Sequence, residues 1–174
     1  MKTYIASLFV DDQSYEFTGS TKNATLSLSG NNKYALKLVN GRNVDSLCFK
    51  KGKQSIIKRI RLRSVGAEDV VANDSIATKL NISIAKDDGG SMGTPVSTAS
   101  INIVKLNEWE EKNIPIGVDV NADDETYFMW VNATSISIMD FNIKTAFVNQ
   151  KMNIAVDIEI ESDGLFDATT GLEV

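Results

Sequence analysis

The sequence contains no histidine and only one cysteine among its 174 residues. Without histidine the chain lacks the commonest general base, the base of Ser-His and Cys-His nucleophile pairs, and the imidazole ligands of catalytic zinc. The single cysteine, Cys48, excludes an intramolecular disulfide, and thiolate zinc sites and iron–sulfur clusters need several cysteines. These absences lead us to expect a protein that is not an enzyme and that carries no cofactor.

Long hydrophobic runs are also missing, since no stretch approaches the roughly 20 apolar residues of a membrane-spanning helix. The short apolar patch at the N-terminus soon meets Asp11 and Asp12, which is unlike a secretory signal peptide. We therefore expect cytoplasmic synthesis and no membrane partner. Cys48 stands between two apolar residues, a position typical of a small buried residue, although the nearby lysines leave a reactive thiol as the alternative.

Short segments with period-two alternation dominate what is present. Lys79–Ala85 and Met152–Glu161 alternate apolar and polar residues cleanly, as half-buried strands do. About ten such strands follow one another without a helix of ten residues, and Asn107–Asn113 is the one candidate for a helical turn. This pattern predicts an all-β fold, an antiparallel β-sandwich of jelly-roll type. We expect one domain over residues 1–174, with a turn-like tail from Ser162.

The stretch Ser55–Arg63 is the most basic strand of this series. One face of it is predicted to be apolar with one interruption, and its members are Ile56, Lys58, Ile60 and Leu62. The opposite face carries Ile57, Arg59, Arg61 and Arg63. A lysine on an apolar face is typical of an edge strand, because natural sheets protect their edges with charge. We therefore expect this strand either at the edge of a sheet or near the end of one.

The charge of the chain is divided between two regions. The segment from Ser46 to Ala67 holds seven positive residues and no acid, whereas the rest of the chain has a net charge of −12. The C-terminal segment Asn107–Val174 alone has a net charge of −11, and it contains an acidic row at period two, Asp157, Glu159 and Glu161. The basic and acidic rows could pair side by side within the fold, or they could meet between two subunits.

Protein subunits are the partners that this pattern favours. Nucleic acid is not expected, because the chain is acidic overall and no aromatic residue lies between the arginines. We predict a non-enzymatic structural protein of a larger assembly, most concretely a capsid-decorating or tail-associated component of a viral or phage particle, located in the virion. The residues predicted to bind a partner are Arg59, Arg61, Arg63, Asp157, Glu159 and Glu161.

A carbohydrate-binding module is the alternative. Its aromatic platform would consist of Trp109, Tyr127 and Trp130 on one exposed face. A calcium ion could assist, because the spacing of Asp119, Asn121 and Asp123 imitates the start of an EF-hand loop. It is not an EF-hand, since an aspartate stands where the loop requires glycine.

The glycine-rich segment Asp87–Pro95 could be mistaken for a phosphate-binding loop. It lacks the Gly-Lys-Ser/Thr end of the Walker motif, and no helix is predicted after it. We therefore predict a hairpin between two strands.

Overall fold

The computed structural model describes residues 1–9, 24–37, 43–50, 52–65, 75–105, 107–116, 126–139 and 153–174. These residues form β-strands and turns, with no helix among them, and so no helix that could cross a membrane. In chain order the strands are β1 (Lys2–Phe9), β2 (Ala24–Lys33), β3 (Ala35–Lys37), β4 (Asn43–Val44), β5 (Leu47–Phe49), β6 (Ser55–Val65), β7 (Ser75–Ala85), β8 (Asp87–Asp88), β9 (Ser91–Met92), β10 (Ser97–Lys105), β11 (Glu110–Ile116), β12 (Tyr127–Met139), β13 (Asn153–Ser162) and β14 (Phe166–Asp167).

Two large antiparallel sheets contain most of these strands. The first sheet has the order β11-β6-β13-β1-β3-β4, and the second has the order β10-β7-β12-β5-β14 with β2 also paired to β12. The predicted all-β class with antiparallel sheets is confirmed. The strands are more numerous than predicted because several have only two or three residues, and the strand order does not establish a jelly roll.

The two sheets share one hydrophobic core, the arrangement of a β-sandwich. Ile60 and Ile158 contribute from the first sheet, and Leu80 and Met129 contribute from the second, each with no exposed surface. Their neighbours along each strand point to the opposite, outer face, because side chains alternate along a strand. Burial of each such aliphatic side chain stabilises the fold by about 1.5–3 kcal/mol. The outer face of the first sheet therefore carries the polar half of the alternation.

A β-bulge at Lys58 changes the face assignment in β6. Arg59 is paired with Glu159 and Ile57 with Ile160, so that Lys58 is the extra residue between two consecutive pairs. Ile57 is buried in the core with 1% of its surface exposed. The prediction that Ile56 belongs to the core face is wrong, because the extra residue shifts the alternation by one position.

The bulge also explains why a lysine stands among the apolar residues of this strand, so that an edge position is not needed to explain it. β6 lies between the terminal strand β11 and β13, so it is not itself an edge strand, but it is the second strand from the end of the sheet, in agreement with the other predicted location. Lys58 places its Nζ atom 3.9 Å from Glu161 Oε2, on the outer side of the sheet.

Two of the predicted local features have different outcomes. The candidate helical turn at Asn107–Asn113 leads instead into β11, and Asn107 adopts a φ of 61°, which asparagine tolerates better than most residues. The glycine-rich segment forms the β8–β9 hairpin, as predicted. Gly89 and Gly90 occupy its turn with φ values of 61° and 93°, a region that favours glycine.

The C-terminal segment after Ser162 folds back onto the sandwich. The Val174 amide donates a hydrogen bond to the Leu165 carbonyl at 2.9 Å, and the Tyr4 hydroxyl donates one to the Val174 carbonyl at 3.1 Å. Phe166 in β14 is bridged to Glu173. These contacts hold the segment against both sheets.

Cys48 is buried with no exposed surface, between Phe128 of β12 and Phe166 of β14. Burial raises the pKa of its thiol to about 11, although Lys50 acts in the opposite direction.

We therefore expect native protein at pH 8 to react with a disulfide reagent such as DTNB at least about a hundredfold more slowly than urea-unfolded protein, because only the thiolate reacts. Stopped-flow absorbance measures both rates. Equal rates in the two states would contradict the buried position.

Candidate functional site

The six charged residues that the sequence singled out lie together on the outer face of the first sheet. β6 and β13 are antiparallel neighbours, with Arg59 opposite Glu159 and Arg61 opposite Asp157. The basic and acidic rows therefore pair within the fold. Trp109, from the segment just before β11, lies on the same arginines. We call Arg59, Arg61, Arg63, Trp109, Asp157 and Glu159 together the arginine face.

Asp157 is the anchor of the arginine face. Its carboxylate is 1% exposed and accepts hydrogen bonds from Arg61 Nε at 2.8 Å, Arg63 Nε at 2.7 Å and Ser7 Oγ at 2.9 Å. Burial acts to raise the pKa of Asp157, but the hydrogen bonds from Arg63, Arg61 and Ser7 outweigh it and lower the pKa below its ordinary value. The carboxylate is therefore ionised in the folded protein and fixes two arginines.

Trp109 braces the other side of the face. The Cζ atoms of Arg59 and Arg61 lie 4.5 Å and 4.3 Å from its ring centroid. Each such cation–π contact contributes about 0.5–1 kcal/mol when exposed. Arg59 is also bound by Glu159, whose Oε2 accepts from both Nε at 2.9 Å and Nη2 at 2.7 Å. Both guanidinium groups are thus held by a ring and by a carboxylate.

Arg61 has hydrogen-bond donors that no acceptor of the described residues uses. Its Nε atom is bound to Asp157, whereas no acceptor among the described residues is bonded to its Nη1 or Nη2 atom. The side chain is 28% exposed. A guanidinium presents its donors in a planar fork that matches a carboxylate or phosphate, and a fork already fixed in place loses little entropy on binding. Arg61 therefore presents a guanidinium that is held in place and partly exposed.

No protein-family model, curated protein or solved structure matches this chain. Its function is inferred from the geometry of the arginine face.

The three rings predicted as a sugar-binding platform are not brought onto one exposed face. Tyr127 and Trp130 are only 6% and 2% exposed in β12, and Tyr127 belongs to the core between the sheets. The Trp130 indole donates a hydrogen bond to the Ala85 carbonyl at 3.2 Å, and Lys33 lies 5.8 Å from its ring. Trp109 belongs to the arginine face instead. These three rings therefore do not form a shared aromatic platform for a sugar.

The predicted calcium ligands Asp119, Asn121 and Asp123 lie outside the described residues. Within the described ranges, no cluster of three acidic, cysteine or histidine side chains is arranged to hold a metal ion. Calcium binding at residues 119–123 stays a prediction.

Two contacts of the site were not predicted from the sequence. Ser7 falls opposite Asp157 in the β1–β13 ladder, and the alternation of Tyr4 and Ala6 in the core places it on the outer face. The alternation can be predicted from the sequence. The pairing of β1 with β13, which places Ser7 next to Asp157, cannot. Trp109 could not be assigned to Arg59 and Arg61, because its position depends on how β11 docks on β6.

Proposed function

We propose that this protein is a non-enzymatic structural component of a larger assembly and that the arginine face binds an acidic protein surface. The observation that carries the proposal is Arg61, whose side chain is 28% exposed while Asp157 and Trp109 hold it in place. A fixed exposed guanidinium suits carboxylate recognition at an interface. The absence of histidine from the chain supports a non-catalytic role.

An acidic protein fits this surface better than nucleic acid. Glu159 and Glu161 lie along the same face as the arginines, and Glu111 is paired with Arg59 in the β6–β11 ladder. These acids repel a continuous phosphate backbone, whereas single carboxylates of a protein can be placed between them. The concrete form of the assembly that we propose is a viral or phage particle, with the chain on its capsid or tail, because antiparallel β-sandwiches recur in such particles.

The arginine face can be tested with a fluorescent deca-glutamate peptide. We expect the peptide to bind, with weaker binding as salt rises. Arg61→Gln should raise the dissociation constant about tenfold, since hydrogen bonds to a charged group contribute about 1.5–3 kcal/mol. Trp109→Ala should also weaken binding, because it removes the ring that holds Arg61 in place. This variant leaves every charge unchanged. Fluorescence anisotropy measures the affinities, and circular dichroism checks that each variant is folded.

Two controls define the outcome. Lys79→Gln removes one positive charge from an exposed residue of β7 in the second sheet, and it should leave peptide affinity unchanged. A fluorescent DNA decamer should bind more weakly than the peptide. Equal loss of affinity in the Lys79 and Arg61 variants, or tighter binding of the DNA, would overturn the proposal.

A further inference from the structure

The outermost strands of the two sheets differ in how they are protected against pairing. β4 and β14 have only two residues each. β11 contains Pro115, three charged residues and a register shift between Glu111 and Ile114. β2 is paired irregularly, with two register shifts along β12. Short strands, proline, charge and bulges are the devices by which natural sheets prevent edge-to-edge association.

β10 has none of these devices along most of its length. It has nine residues, no proline and no charge before Lys105, and its pairing with β7 is regular from Ser97 to Ile103. Within the described part of the chain, β7 is the one strand paired with it. As far as the described strands extend, the opposite side of β10 is therefore without a partner, and its backbone N–H and C=O groups are in the geometry needed to pair with another strand.

The side chains of β10 suit an antiparallel partner of the same sequence. Ile101 and Ile103 face the core, whereas Thr98, Ser100 and Asn102 are exposed. Antiparallel pairing centred on Ser100 places Thr98 opposite Asn102 of the second copy. It also places Ala99 opposite Ile101 of the second copy, so at these central pairs polar residues meet polar residues and apolar residues meet apolar residues, whereas Ser97 lies opposite Ile103.

Charge favours this edge as the place where two copies approach each other. Each chain carries a net charge of −5, so two copies repel one another over most of their surface. The segment from Ser97 to Val104 is uncharged, and a two-fold axis through Ser100 places the two Lys105 residues at opposite ends of the contact. No like charges therefore face each other in this pairing.

Hydrogen bonds link side chains on the outer face of the second sheet from β12 across β7 to β10. Asn132 of β12 accepts a hydrogen bond from Asn81 of β7 at 3.0 Å, and Ser100 donates one to Asn81 at 2.7 Å. This row fixes the exposed side chain at the centre of β10, so little side-chain freedom is lost on pairing.

We propose that β10 pairs antiparallel with β10 of a second copy and joins the two second sheets into one continuous sheet. The contact is isologous, because the same strand is used by both copies. It extends the proposed assembly role by naming a partner that does not use the arginine face, and the two contacts can be tested separately.

A charge exchange at Ser100 tests the pairing. Sedimentation velocity should show a monomer–dimer equilibrium for the full chain. Ser100→Lys alone and Ser100→Glu alone should each raise the dimer dissociation constant at least about tenfold, because like charges then face each other across the axis. A one-to-one mixture of the two variants should restore a dimer, which shows that each variant is still folded and competent to pair.

Two matched variants separate this contact from others. Asn113→Lys lies on an exposed position of the protected edge strand β11 and should leave the equilibrium unchanged, as should Arg61→Gln on the arginine face. The proposal is overturned by a wild-type chain that stays monomeric at millimolar concentration, by unchanged dimerisation of both Ser100 variants, or by a mixture that does not recover the dimer. Loss of the dimer in Arg61→Gln would likewise assign the contact to the arginine face.

Discussion

The Asp157→Asn variant is expected to lose about 3–5 kcal/mol of unfolding free energy. The substitution removes the charge from a carboxylate that is 1% exposed and that binds Arg61 and Arg63, while it leaves both arginines in place. Removal of the buried partner of an ion pair is costly in this range, and here the amide of asparagine would also place N–H donors against the arginine donors in a buried position. Urea denaturation followed by far-UV circular dichroism measures the loss.

The matched control is Glu159→Gln on the same strand. Its carboxylate is 16% exposed and binds Arg59, which is 34% exposed. This pair is more exposed than that of Asp157, and exposed pairs contribute only about 1 kcal/mol, so this variant should lose markedly less stability than Asp157→Asn. Equal losses in the two variants would show that Asp157 is an ordinary surface acid and that the arginine face has no buried anchor.

The pH dependence of the Asp157 variant gives a second check with a definite sign. Because the pKa of Asp157 is lower in the folded protein than its ordinary value of 3.8, its ionised form stabilises the fold. That contribution is fully present above pH 3.8 and is lost as the pH falls through the folded pKa. The stability difference between wild type and Asp157→Asn should therefore be constant near neutral pH and shrink in acid. A difference that grows as the pH falls would reverse the assigned direction.

The fold class was predictable because alternation is a local property. Segments such as Lys79–Ala85 show their core face directly in the order of apolar and polar residues. The same reasoning failed in β6, where the bulge at Lys58 moves Ile57 into the core and Ile56 out of it. A bulge is decided by the partner strand, and the sequence of one strand does not contain it.

The candidate site shows the same division between local and non-local information. The matched period of the arginine and acid rows predicted that they could lie side by side. Whether they did so within one chain depended on β13 lying between β6 and β1, which is a property of topology. The docking of Trp109 on Arg59 and Arg61 and the hydrogen bond from Ser7 to Asp157 depend on contacts between residues far apart in sequence. These are the contacts that make Arg61 a fixed surface donor.

The two tryptophans provide the second large expected effect, because the structure gives them opposite roles. Trp130→Ala should lower the unfolding free energy by about 3–5 kcal/mol, the range found when a buried aromatic is truncated. Its ring is 2% exposed and its indole nitrogen is hydrogen-bonded to Ala85. Trp109→Ala should lower it by no more than about 2 kcal/mol, since it removes two cation–π contacts at a partly exposed position.

Denaturation of both variants under one set of conditions measures the contrast, and fluorescence of the single-tryptophan variants locates each ring. Trp109→Phe retains Trp130 and should emit at shorter wavelength than Trp130→Phe, because Trp130 is shielded from water. The effect on peptide binding should have the opposite order to the effect on stability. Trp109→Ala should lose affinity for deca-glutamate, whereas Trp130→Phe should keep it. A large stability loss in the Trp109 variant with none in the Trp130 variant would contradict the two assigned roles. It would indicate that Trp109 is the buried ring and Trp130 the exposed one.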